Sequence, residues 1–301
     1  MLENFAHALA EAKKSGAQTI AVAVAQDKDV LLALKLAQDA DIAEAVLVGD
    51  AAEIKPMLQE VGLAADTRIV DEKDPAQAAL KAVSLVRQGQ AQVVMKGMLN
   101  TSDFLKAVLH PEQGLRSGSL LSHLAVFEVP GEKRLLYHTD GGMNIAPDLA
   151  TKKGILKNAL AALRALGLAE PKVAVLTANE QVHPKMQATV DAQALVAAAA
   201  AGEFSPCVIE GPIALDVALN PEAARHKGIA SRISGQVDLF LMPNIETGNV
   251  LGKSLLYYAG AHMAGLVLGA THPIVLTSRA ETPEGKLHSI CLACLAARKG
   301  N

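Results

Sequence analysis

The chain has 301 residues, half of them apolar and 20% charged, with a formal net charge of −3. That length suits one large or two medium hydrophobic cores, and that charge leaves no basic surplus to neutralise a nucleic-acid backbone. Tryptophan is absent and aromatics make up 3%, too little for a base-stacking surface, while three cysteines are too few, and odd in number, for a disulfide framework.

Along the first sixteen residues, Glu3, His7, Glu11, Lys13 and Lys14 interrupt any apolar run, which excludes a signal-peptide core there. No apolar run approaches the ~20 residues that span a bilayer. The expectation is a cytoplasmic protein with neither a membrane nor a nucleic-acid partner. Strands are predicted at 18–25, 43–48, 67–70, 91–95, 120–129, 133–138, 172–176, 206–209, 237–242 and 273–276. Helical stretches fall between most of them, most clearly at 30–40, 76–88, 149–166 and 187–201. This rhythm predicts an α/β fold with doubly wound, mostly parallel sheets. It breaks where only Pro130, Gly131 and Glu132 separate two strands, a hairpin signal. A change of domain is placed there: 1–125 plus 272–301 form one lobe and 126–271 the second, with a cleft between them. Cys291 and Cys294 make a C-x-x-C on a closing helix. No second pair completes a zinc site, so they read as two small apolar residues one turn apart.

In open α/β sheets, ligands gather beyond the carboxyl ends of strands. Six predicted ends carry polar or charged groups, four of them with glycine: Lys96-Gly97 with Asn100 and Thr101, Thr139 to Gly142 with Asn144, Thr177 with Asn179, Glu210-Gly211-Pro212, Asn244 with Gly248 and Asn249, and Thr277-Ser278-Arg279. Any one is ordinary turn chemistry; six together predict a shared site. The segment Thr247 to Ser254 nearly matches a P-loop but has Thr247 where the first glycine belongs. It reads instead as the start of a helix at Gly248 and Asn249, with Lys253 as a cleft or first-turn cation. There is no G-x-G-x-x-G after the first strand, no G-x-S-x-G elbow, and no H-x-H or H-x-x-x-H pair, so no dedicated metal site is predicted. Thr277-Ser278-Arg279 is the sharpest local signal. A guanidinium fork matches phosphate oxygens and the neighbouring hydroxyls add donors, against the alternative of a loop arginine paired with Glu281 or Glu284.

Six segments together resemble the phosphate acetyltransferase/phosphate butyryltransferase family, and more closely its butyryl-type branch. They are Met95 to Met98 with Thr101, Leu121 to Glu128, Thr139 to Asp148, Glu210 to Asp216, Pro243 to Lys253, and Pro273 to Arg279. The match runs from about Lys96 to the C-terminus; the first ninety residues match only in their βα pattern. The resemblance implies a two-lobed fold like that of the isocitrate/isopropylmalate dehydrogenases with the site in the interdomain cleft. It also implies a homodimer or larger homo-oligomer formed through the second lobe. The implied reaction is acyl-CoA + phosphate ⇌ acyl phosphate + CoA, by direct attack in a ternary complex. The partners would be acyl-CoA, inorganic phosphate and acyl phosphate, with coenzyme A as a substrate and no tightly bound cofactor. Arg279 would grip the phosphoryl group and Ser278 would hydrogen-bond the thiol or the reacting carbonyl. Thr277, Lys96, Thr101, Asn144, Asn244 and Asn249 carry over by motif position as substrate-binding candidates. A thiol ionises near pH 8.5, so a base or cation should assist it. The family pattern has a carboxylate seven residues after the serine, where this chain has Gly285. The neighbouring Glu284 is the first candidate for the base, Glu281 the second, and a reaction without a side-chain base the third. That departure also motivates a non-catalytic module sensing acyl-CoA or acyl phosphate. An oxidoreductase of the same architecture is disfavoured by the missing dinucleotide fingerprint.

Overall fold

A computed structural model describes residues 2–278 and 281–297. The chain divides into two compact units, Glu3–Ser119 with Ala264–Asn301, and Met1–Leu2 with Leu120–Met263. The first opens with α1 (Phe5–Lys14), β1 (Gln18–Ala23), α2 (Lys28–Asp39), β2 (Ala43–Gly49), α3 (Ala51–Val61), β3 (Arg68–Asp71), α4 (Pro75–Arg87), β4 (Val93–Lys96) and α5 (Thr101–Val108). The second unit contributes β5 (Ser122–Glu128), β6 (Leu136–Thr139), α6 (Leu149–Ala165), β7 (Lys172–Leu176), α7 (Gln187–Ala200) and β8 (Val208–Ile213). It continues with α8 (Leu215–Leu219), α9 (Pro221–His226), β9 (Leu239–Leu241) and α10 (Ile245–Ala259). The chain then returns to the first unit through β10 (His262–Leu268), β11 (Ile274–Val275) and α11 (Pro283–Ala297).

In the first unit the strand order is β3-β2-β1-β4-β11-β10. All pairings are parallel except β10 with β11. Near-continuous apolar runs explain this: Ile20 to Ala23 and Val93 to Met95 have essentially no exposed surface, as strands covered on both faces require. The helices start where the sequence supplies caps. Asp27 accepts from Asp29 N and Val30 N, and Asp74 accepts from Gln77 N ahead of Pro75 in the first turn. One helix layer joins α1, α2 and α11, with Phe5 stacked on His288 at 4.1 Å, and α4 packs with α5 in another.

In the second unit the order is β5-β6-β9-β7-β8. The expected hairpin is present: β5 and β6 pair antiparallel with Ala125 opposite His138, and Gly131 takes a φ of 89° in the turn. The other pairings are parallel. The neutral ring of His138 is wedged between Phe127 and Phe240 at 4.7 and 5.3 Å. Those two buried phenylalanines stabilise the unit by about 1.5–3 kcal/mol each.

Three sequence expectations change. Glu210-Gly211-Pro212 is not a loop beyond a strand; it lies inside β8. This last strand of its order tolerates proline, and a Cβ at Gly211 would sit 2.8 Å from Val175 Cβ. The run His262–Leu268 is a strand that the pattern did not reveal. Helix α10 begins at Ile245, capped by Asn244, so Gly248 and Asn249 lie within it. Lys253 is an exposed mid-helix residue rather than a first-turn cation, and the P-loop reading fails on geometry. Among the described residues, no helix is long and apolar enough to cross a membrane.

Candidate functional site

In the first unit, register brings strand ends together. Ala23 of β1 lies opposite Lys96 of β4, and Met95 lies opposite Val275 of β11. Lys96-Gly97 therefore sits between the residues that follow β1 and those that follow β11, Thr277 and Ser278. Lys96 is 5% exposed, and its ammonium donates to the carbonyls of Gly97 and Leu99 at 3.1 and 3.0 Å. It shapes the turn that leads to Thr101, an exposed residue in the first turn of α5. The end of β1 was missed in the sequence. Val24 has a φ of 57°, a conformation β-branched residues avoid. Its carbonyl accepts from Met98 N at 2.8 Å and lies 2.1 Å from where a Cβ on Gly97 would be, so only glycine fits there.

After β11, Thr277 is buried and Ser278 exposed. Arg279, expected to grip the phosphoryl group, lies outside the described residues. The Ser278 carbonyl accepts from Glu281 N at 3.2 Å. The ammonium of Lys286, itself 2% exposed, donates to the carbonyls of both Ser278 and Glu281. One buried cation thus holds the turn from both ends. Thr282 caps α11 by accepting from Gly285 N at 3.2 Å, with Pro283 as first helical residue. Glu284 is exposed in that first turn, where a carboxylate complements the helix dipole. Glu281 is part-buried, and burial pushes its carboxyl up to about 7 against the opposing pull of Lys286. Its Oε1 is buried without a hydrogen-bond partner among the described residues.

In the second unit, the loop after β6 is organised by Asp140, 2% exposed. Its Oδ1 accepts from Gly142 N and Met143 N at 2.8 and 2.9 Å, and its Oδ2 from His123 N and Asn144 Nδ2 at 3.0 and 2.6 Å. Asn144 Nδ2 also donates to Leu121 O at 3.0 Å, so its amide is committed to the fold. Asn244 caps α10, accepting from Thr247 N and Thr247 Oγ1 at 2.9 and 2.7 Å. Asn249 is exposed and reaches Gly141 O at 3.5 Å. The loop and α10 meet backbone to backbone: a Cβ on Gly248 would lie 2.6 Å from Gly141 Cα. The sequence candidates thus form two sets, Lys96, Thr101, Thr277, Ser278 and Glu284 in the first unit, and Asn144, Asn244 and Asn249 in the second.

Also in the second unit, Asn244, Pro147, Asp148 and Gln187 line a cavity of about 670 Å³ whose wall includes Lys152 and Asp191. These two form a buried ion pair at 2.6 Å, and Gln187 Nε2 donates to the other Asp191 oxygen at 2.8 Å. No cluster of three or more His, Cys, Asp or Glu placed to hold a metal occurs among the described residues.

Comparison with known proteins adds what geometry alone does not name. A family model described as phosphate acetyl/butaryl transferase matches residues 64–294. The chain is 45% identical over 298 residues to the phosphate butyryltransferase of Clostridium acetobutylicum, covering 99% of each. It is 42% identical over 255 residues to the phosphate acetyltransferase of Rhizobium meliloti, covering 84% of this chain and 81% of that one. A crystal structure of a branched-chain phosphotransacylase from Enterococcus faecalis V583 superposes with a TM-score of 0.83 at 33% identity, covering 93% of this chain and 99% of that one. The likeness therefore extends through the first ninety residues, where the motifs gave only a βα pattern.

Proposed function

The chain belongs to the phosphate acetyl/butaryl transferase family, and from that membership we propose how it works. It is an acyltransferase that moves a short acyl group, acetyl to butyryl, reversibly between coenzyme A and inorganic phosphate. The observation that carries this is the 45% identity maintained over 99% of both chains with a phosphate butyryltransferase. The butyryl-type branch is the favoured one.

The nucleophile is the thiol of coenzyme A in one direction and phosphate in the other, so the protein supplies positioning and charge rather than a covalent intermediate. Arg279 grips the phosphoryl group. Ser278 hydrogen-bonds the sulfur or the reacting carbonyl, with Thr277, Lys96 and Thr101 beside it. Asn144, Asn244 and Asn249 serve the same substrates from the second unit. The base is a carboxylate of the turn before or at the start of α11, Glu281 or Glu284. Support comes from the convergence of the β1, β4 and β11 ends and from the buried Lys286 that fixes the Ser278–Glu281 turn. The finer architecture proposed is two-lobed and isocitrate/isopropylmalate dehydrogenase-like. Residues 1–125 with 272–301 form one lobe, 126–271 form a dimerising second lobe, and a substrate cleft separates them. The enzyme acts in the cytoplasm as a homodimer or larger homo-oligomer, with coenzyme A as substrate and no resident cofactor.

The test is thiol release from acetyl-, propionyl- and butyryl-CoA, each with and without phosphate. Release that depends on phosphate, fastest with butyryl-CoA, is expected. One methylene discriminates by about 1–3 kcal/mol, so the three rates should spread over one to two decades or less per carbon. Release without phosphate would make the protein a thioesterase instead. Arg279→Ala should lower kcat/KM by about 10²–10³, and Arg279→Lys should not restore it, because a point charge lacks the planar fork.

A further inference from the structure

Gly285 is an odd residue for its place. Glycine is poor inside a helix, and no left-handed φ demands it here. Space does. A Cβ built on Gly285 would fall 2.8 Å from Glu281 Oε1, 2.9 Å from its Cγ and 3.3 Å from its Cδ, so all three nearest atoms belong to that one side chain. The helix leaves a notch, and the Glu281 carboxyl fills it. The notch itself is held still: Gly285 N is bound by the Thr282 cap and Gly285 O accepts from Ser289 Oγ at 3.3 Å. Ser289 Oγ in turn accepts from Gly265 N of β10 at 3.0 Å.

Burial outweighs the Lys286 ammonium and the Ser278 backbone, which favour the charged form of the carboxyl in the notch. Lys286 is near, but its ammonium is spent on the carbonyls of Ser278 and Glu281. Among the described residues Oε1 has no donor at all, and a buried unpartnered acceptor calls for a reason. Glu284, by contrast, points out of the first turn into solvent-exposed space.

We propose that Glu281, lying across Gly285, is the general base that takes the proton of the coenzyme A thiol, supplying from the loop the carboxylate that the family pattern supplies from position 285. This rests on the transferase reading above. In the thiol-consuming direction the Glu281 carboxylate accepts the S–H proton while the sulfur lone pair forms the C–S bond to the acyl carbon. The acyl C–O bond to phosphate breaks with its electron pair on the departing phosphate. That phosphate takes the proton back from Glu281 and leaves as hydrogen phosphate. The reverse reaction returns the same proton to the departing thiolate. A carboxyl that titrates near 7 is matched to such a relay at neutral pH.

The experiment is the pH dependence of kcat/KM for butyryl phosphate plus coenzyme A with the full chain. The wild type is expected to show an acidic limb centred at about 7. Glu281→Gln should lower the rate by about 10²–10⁴-fold and abolish the limb, and a Glu284→Gln enzyme that lost more of the rate and the limb than Glu281→Gln would overturn the assignment. Glu281→Ala removes every atom that crowds position 285, so Glu281→Ala with Gly285→Asp should recover at least about tenfold over Glu281→Ala alone and restore an acidic limb. A Glu281→Gln enzyme with near wild-type rates and an intact limb would overturn the proposal. So would a double variant no better than Glu281→Ala. A wild-type protein with no phosphate-dependent thiol chemistry would instead sink the transferase reading on which the proposal stands.

Discussion

Two strand-end loops, one in each unit, carry an acidic residue in nearly opposite circumstances. Asp140 in the loop after β6 is saturated, accepting from three backbone amides and one side-chain amide. Glu281 after β11 offers Oε1 to nothing among the described residues. Asp140 sits in a motif that the resemblance marks and Glu281 two residues beyond another, yet the first reads as scaffold and the second as a reactive group. A motif position says that a residue is needed; only its hydrogen-bond account says whether the fold or the substrate needs it.

The sharpest way to break this contrast is to remove the saturated carboxylate. Asp140→Ala strands four donors and should destabilise the protein by about 3–5 kcal/mol in urea unfolding, whereas Glu281→Gln should leave the midpoint unchanged or raise it. Equal losses would erase the distinction. A smaller effect separates the two glycine contacts. Gly248→Ala drives a Cβ against the Gly141 backbone, which has nowhere to go, and should cost about 1–3 kcal/mol. Gly285→Ala meets only a movable side chain and gains helix propensity, so its stability should stay within about 1 kcal/mol of wild type while its activity falls as Glu281 is displaced. The smallest effect is in pH. Glu281 keeps its proton up to about 7 in the folded chain rather than the ordinary 4.5. Its contribution to stability is therefore complete below 4.5 and is lost as pH rises through 7. Burial depresses His138 to about 3 from 6.5, so its contribution is complete above 6.5 and is lost as pH falls toward 3. Thermal unfolding across pH 3–8 should show the alkaline-side loss disappear in Glu281→Gln and the acid-side loss shrink in His138→Phe.

Much of this was legible in one dimension, and the rest has identifiable reasons for being hidden. Buried parallel strands announce themselves as apolar runs ending in glycine or polar residues, which is why Lys96 and Thr277-Ser278 could be assigned to one expected site before any fold was known. The hairpin was written in Pro130-Gly131-Glu132. The strand His262–Leu268 escaped because its Gly265 and its position just after Gly260 look like a loop, although Gly265 is within the strand and its amide donates to Ser289 Oγ. Asn144 and Asn244 were read as ligand contacts, and loops favour asparagine for structural work too; their bonds to Asp140 and to Thr247 reach only four and three residues along the chain, a spacing that permits those contacts without requiring them. Glu281 was visible but could not be chosen over Glu284. The choice depends on which carboxyl folds back over the helix and which points away, and no spacing rule encodes that.

The notch at Gly285 also bears on how such a site changes over generations. Because a side chain at 285 would press on the Glu281 carboxyl where it now lies, a chain that gained one there would have to move that carboxyl. Moving the acid between loop and helix one codon at a time must therefore pass either through a sequence with no acid in the notch or through one with two groups contesting it. The first route gives up the acid and the second shifts a movable side chain, so the two arrangements are more than one substitution apart.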